Sequence, residues 1–150
     1  MPEESENVGE PFLSQQHPKS KRWAVFEDDG RSGWLYMTKQ GSQDVVSDCW
    51  IYNRVRAPEA AQIEEFRDGP PPAIKGVVGE GALVEAPDEA DMRFVWSEDG
   101  HSVAFIVEDI PLGFIVKPGK RGYCRNLLES CPWGKVWDQA LFEKIFDRKG

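Results

Sequence analysis

Four basic residues fall within ten positions in Lys117-Pro-Gly-Lys-Arg-Gly-Tyr-Cys-Arg-Asn126, and no acid is among them. Arg and Lys recognise carboxylates and phosphates through charge-assisted hydrogen bonds, and Gly119 and Gly122 leave the backbone open to an approaching anion. Lys117, Lys120, Arg121, Tyr123 and Arg125 are therefore the candidate ligand-binding residues. The competing reading is internal: these cations pair with the protein's own acids.

Carboxylates cluster at Glu27-Asp28-Asp29 and at Glu98-Asp99. Paired acids suit general acid–base work, but each cluster here abuts a glycine between two apolar runs, where Asp and Gly serve to reverse the chain. The alternating oxygens of a calcium loop are not present. Asp28 and Asp29 are accordingly read as turn acids and candidate interaction-surface residues. Trp133, in Cys131-Pro-Trp-Gly-Lys-Val-Trp137, is a third such candidate: either an exposed indole platform or a lid over the core. The chain has three Cys (Cys49, Cys124, Cys131) and two His (His17, His101). Their spacing does not match the paired thiols of a zinc site, nor does it assemble a Cys–His nucleophile, and free thiols are expected. No catalytic residue, metal or cofactor is assigned from the sequence, and a non-enzymatic role is expected.

The 150-residue chain carries 26 acidic and 18 basic residues, a net charge of −8. Residues 1–90 hold all the excess, with 17 acids against 9 bases. That balance disfavours nucleic acid, whose binding rests on cations neutralising phosphates, and favours encounter with a basic protein partner. No apolar run reaches the length of a membrane span, and the acidic N-terminus lacks the apolar stretch of a secretory signal. A cytoplasmic protein with no membrane partner is expected.

These residues need a frame to position them. Residues 1–20 are polar and rich in Glu, Ser, Gln and Pro, which predicts a disordered tail; residues 21–150 are expected to form one domain. Asp28-Asp29-Gly30 joins strand candidates 22–27 and 33–39, and Glu98-Asp99-Gly100 joins 92–97 and 101–108. Further strands are expected at 43–53 (with a bulge at Ser47-Asp48), 73–78, 81–86 and 111–117. Pro58–Phe66 has helix-forming composition, and Gly69-Pro-Pro-Pro72 breaks the chain. Trp137, Leu141 and Ile145 recur every four residues, flanked by Phe142 and Phe146, which predicts an amphipathic C-terminal helix capped by Asp138. Strands followed by a helix, without alternation, give an α+β fold: a mainly antiparallel sheet of six to eight strands with that helix packed on it. An uncovered edge strand is a route to a homodimer.

Phe26-Glu-Asp-Asp-Gly-x-x-Gly-x-x-Tyr36, Ile51-Tyr-Asn53, Trp96-Ser97 and Arg121-Gly-Tyr123 together resemble a group of small bacterial domains of unknown function, over about residues 22–146. The resemblance implies a fold and no activity. Small acidic domains of this kind include immunity proteins that mask a toxin, an analogy of class alone. The expected function is a non-enzymatic protein-interaction module, with the immunity type as one form of it. The alternative is a binder of small anionic ligands, or a cryptic enzyme, using the basic loop 117–126.

Overall fold

In Trp23-Ala-Val-Phe-Glu-Asp28, Ala24, Phe26 and Asp28 are buried while Trp23 and Val25 are half-buried and Glu27 is exposed. This is the two-residue repeat of an extended chain with one face inward. The segment is strand β2 (Trp23–Asp28) of a computed structural model that describes residues 10–66, 69–85, 87–117 and 119–146. Strand β1 (Phe12–Gln16) lies on one side of it, and β3 (Ser32–Thr38) and β4 (Val45–Asn53) follow on the other, giving a four-stranded antiparallel sheet in chain order. A second sheet holds β5 (Met92–Trp96), β6 (Ser102–Val107), β7 (Ile110–Val116) and two short strands, β8 (Tyr123–Cys124) and β9 (Lys135–Val136), again in chain order. All its pairings are antiparallel except β8 with β9.

The sheets pack face to face. Phe26 of the first stacks on Phe105 of the second, with ring centroids 4.0 Å apart. Leu35, Cys49, Ile51, Val103 and Ile115 are wholly buried in the same core. Each large side chain so buried contributes about 1.5–3 kcal/mol before entropy is counted. Along one margin, β4 is stitched to the chain after β7: the Asp48 amide donates to the Lys120 carbonyl at 3.0 Å, the Gly122 amide to the Asp48 carbonyl at 2.8 Å, and the Trp50 amide to the Trp133 carbonyl at 3.3 Å. Along the other margin, β1 and β5 are joined by side chains. Trp96 Nε1 donates to Gln15 Oε1 at 2.8 Å, and the Phe12 amide to Glu89 Oε1 at 3.2 Å.

The C-terminal helix α1 (Gln139–Phe146) closes the second sheet from outside. Trp137, Leu141, Phe142, Ile145 and Phe146 pack on Ala104, Ile106 and Phe114, and the Leu141 amide donates to Asp138 Oδ1 at 3.0 Å, the cap read from the sequence. The architecture is thus α+β and mostly antiparallel, with nine strands among the described residues in place of six to eight.

Three local differences have physical causes. Residues 12–16 are strand, not tail: they pair in register with β2, and Leu13 packs against the core. His17, expected in that tail, is buried, and its Nδ1 accepts the Lys19 and Ser20 amides at 3.1 and 3.3 Å, which ends the strand in a tight turn. Residues 1–9 lie outside the described residues. The stretches 73–78 and 81–86 reduce to single bridges, Val78 with Leu127 and Asn53 with Leu83, because Gly76, Gly79 and Gly81 interrupt any longer ladder. The β3–β4 register skips Val46 and Ile51, so the irregularities flank the expected bulge at Ser47-Asp48. The segment Ala60–Phe66 is a 3-10 helix.

Candidate functional site

Two faces of the sandwich point outward. That of the second sheet carries α1. That of the first is divided. At one end Trp34 and Trp50 are buried, and the proline-rich segment is tied there by side chains. Asn53 Oδ1 accepts Trp50 Nε1 at 2.9 Å and the Ala73 amide at 2.8 Å, while Asn53 Nδ2 donates to the Ala73 carbonyl at 3.0 Å. Trp133 Nε1 donates to the Pro71 carbonyl at 3.3 Å. Trp133 is therefore half-buried against the core, serving as a lid.

The other end of that face is uncovered among the described residues. Trp23, Val25, Tyr36, Phe12 and Val45 line an open groove of about 500 Å³, with Glu27 on its wall. Phe12 is 54% exposed and Val45 53%, high values for side chains of this type. The rows explain the composition. Phe12 faces Glu27 across β1 and β2, Val25 faces Tyr36 across β2 and β3, and Tyr36 faces Asp48 across β3 and β4. The same alternation that sends Ala24, Phe26, Leu35 and Met37 inward leaves this set outside. Desolvation, and then the charges of Glu27, Asp48 and Asp29, push the Tyr36 hydroxyl well above the ordinary phenol range. The groove is thus apolar in its lining and negative in its field.

The acids read as turn-formers divide. Asp29 Oδ1 accepts the Arg31 and Ser32 amides at 2.9 and 3.1 Å, as a side chain closing a turn does, and remains exposed. Asp28 is not a surface residue: it is buried, with Oδ2 accepting the Tyr52 hydroxyl at 2.6 Å and both oxygens accepting Arg54 Nη1 at 3.1 Å. A buried carboxylate needs a cation and donors to offset its lost hydration, and Arg54 and Tyr52 supply them. Asp99 accepts the His101 amide at 3.0 Å and the Ser97 hydroxyl at 2.8 Å, bonds that hold its carboxyl below the usual range.

The basic segment 117–126 does not converge on one point. Arg121 pairs with Asp48 at 3.1 Å. Arg125 donates to the Pro111 carbonyl at 2.8 Å and lies 4.1 Å from the Trp137 ring centroid. Tyr123 stacks on Phe114 at 4.8 Å, with the Lys135 ammonium 5.2 Å above it. Lys120 is exposed, and Lys117 turns to a separate cavity with Arg22 and Lys39. The three cysteines are free. Cys49 and Cys124 are wholly buried, and burial raises both thiols, that of Cys124 to about 12. Neither is a thiolate at neutral pH. Among the described residues no cluster of three His, Cys, Asp or Glu side chains is placed to hold a metal ion, and no helix is long and apolar enough to cross a membrane.

Comparison with protein-family models, with curated proteins and with solved structures finds no match. The chemistry of the groove is therefore read from its own residues. Sequence reasoning missed Trp23, Val25 and Val45 as a site. The signal was present in the outward positions of three strands, which are apolar where a solvent-facing sheet is ordinarily polar. What obscured it was β1, whose pairing brings Phe12 to the rim.

Proposed function

We propose that this protein is a non-enzymatic interaction module whose groove between Phe12, Trp23, Tyr36 and Val45 receives a basic segment of a partner protein. The observation that carries the reading is the pairing of exposed apolar side chains with negative charge on a sheet face that none of the described residues covers. Exposed apolar patches rimmed by polar groups mark interaction sites. Here the aromatic floor would take an apolar anchor of the partner, and Glu27 and Asp29 would attract the cations beside it. The net charge of −8 extends that preference to the approach of the partner. Masking of a basic toxin, the immunity-type role, is one instance of this chemistry.

Selection of random displayed peptides on the immobilised protein tests the reading. The expected winners carry one aromatic or large aliphatic residue flanked by Lys or Arg, and a Glu27→Lys variant, altered at an exposed position, loses them. Winners that are acidic, or that bind Glu27→Lys equally, contradict it.

A further inference from the structure

The buried guanidinium of Arg22 stands at the base of an open cavity of about 440 Å³, which Lys39, Gln40, Val46 and Lys117 also line. Arg22 is only 6% exposed. Its Nε donates to His101 Nδ1 at 2.9 Å and its Nη1 to the Thr38 carbonyl at 2.8 Å. Neither acceptor is a carboxylate: one is a ring nitrogen, the other a backbone carbonyl. Among the described residues no carboxylate lies within ion-pair distance of Arg22, and no hydrogen bond engages Nη2. Buried charges are ordinarily paired, because lost hydration must be offset by an opposite charge. Burial accordingly lowers the Arg22 pKa, and the charge of Asp99, which acts from a distance, opposes that shift.

The chain holds this side chain firmly in place. Lys21 adopts a left-handed φ of 64°, the Arg22 amide donates to Ser20 Oγ at 3.1 Å, and the Lys117 amide donates to the His101 carbonyl at 3.2 Å, which brings Lys117 alongside. Lys39 Nζ lies 3.9 Å from Asp44 Oδ2, with both side chains largely exposed. Such a pair is worth little and yields readily to a ligand. Met37 and Val46 give the cavity an apolar wall beside its cations.

We infer that Arg22, Lys39 and Lys117 form a binding site for a small organic anion, a carboxylate or phosphate monoester carried on an apolar body. Arg22 Nη2 would supply a fixed, preorganised donor, the two lysines would supply mobile charge, and the exposed Val46 would pack the body. The site is separate from the aromatic groove and does not depend on the function proposed for it. It uses one residue, Lys117, of the basic segment singled out in the sequence.

The test is a titration of isotope-labelled protein with phenyl phosphate, benzoate and inorganic phosphate, read by NMR at the Arg22 side-chain Nε–H and the backbone amides of residues 38–40 and 117. Saturable shifts with phenyl phosphate or benzoate are expected. They should weaken about ten-fold or more in the Lys39→Gln/Lys117→Gln double variant, whose changes are at exposed positions. An Arg22→Gln variant should abolish them. If that variant fails to fold, the double lysine variant decides alone. No saturation by either organic anion, or shifts unchanged in the double variant, overturns the site. Inorganic phosphate binding as tightly as phenyl phosphate overturns the assignment to an organic anion.

Discussion

The Tyr52 hydroxyl donates to Asp28 Oδ2 at 2.6 Å, deep between the sheets, where Arg54 pairs with the same carboxylate. Asp28 keeps the turn role read from the sequence, its Oδ1 accepting the Gly30 amide at 2.8 Å, but it is buried and also locks β2 to the end of β4. Removing one member of such a set takes a buried hydrogen-bond partner from the others. Tyr52→Phe is expected to cost about 1.5–3 kcal/mol, the value of a hydrogen bond to a charged group. Asp28→Ala is expected to cost about 3–5 kcal/mol, because the Tyr52 hydroxyl, the Arg54 guanidinium and the Gly30 amide all lose the same buried acceptor. Urea titration of each variant measures this. A loss below about 0.5 kcal/mol for Asp28→Ala would show the network to be dispensable.

Alkaline pH should destabilise the fold. Cys124 is raised by burial from the ordinary thiol value of 9.0 to about 12, and Tyr52, raised first by burial and then by Asp28, moves the same way. The folded state holds these protons more tightly than the unfolded chain. Their contribution is therefore complete below the unfolded pKa values and is lost as pH rises through the interval to the folded ones. The melting temperature should hold near neutrality and fall steeply above about pH 9. Cys124→Ala should make that fall shallower. A profile as steep in Cys124→Ala as in the parent protein removes the thiol from the explanation.

Glu108 and Asp109 join β6 to β7 with φ of 53° and 68°. Two left-handed residues in a two-residue loop make a type I′ turn, a geometry that non-glycine residues adopt at a cost of about 1–2 kcal/mol each. Asp109→Gly relieves the second and forfeits only an exposed ion pair with Arg93. A gain of about 1 kcal/mol in chemical denaturation is expected; a loss would mean that the pair outweighs the strain.

Gly122 shows the opposite sensitivity. A Cβ there would lie 2.6 Å from both Cys49 Cβ and the Phe114 carbonyl oxygen, neither of which has a flexible end to move. Gly122→Ala should therefore destabilise by about 1–3 kcal/mol and open the stitching between β4 and the chain after β7. Hydrogen exchange at the Gly122 and Asp48 amides reads this directly, and unchanged protection would contradict the close packing.

Much of the frame was legible in the sequence because it rests on local rules. The Asp-Gly turns, the meander from 92 to 117 and the helix stripe from Trp137 to Phe146 each depend on periodicity and turn chemistry within a dozen residues. What escaped depends on partners distant in sequence. Phe12-Leu-Ser-Gln-Gln16 has little apolar content of its own and becomes a strand because β2 offers it an edge. Asp28 reads as solvated until Tyr52 and Arg54 are seen beside it. The basic segment 117–126 suggested one site. Its cations instead meet Asp48, Trp137 and the Arg22 cavity, since a loop that pairs with β4 and β7 turns its side chains in several directions. Trp23 and Tyr36 read only as members of strand candidates, and which face of the sheet they occupy depends on packing between elements distant in sequence.

The central claim is that the outer face of the first sheet binds a basic, apolar-anchored segment. Its most direct measurement is an NMR titration of the labelled protein with a Lys/Arg-rich peptide bearing a single central Phe, at low and at high salt. The account predicts saturable shifts centred on Trp23, Val25, Glu27, Tyr36 and Val45, weakened by salt and absent in Glu27→Lys. No saturable shift, or shifts centred away from that face, would contradict it.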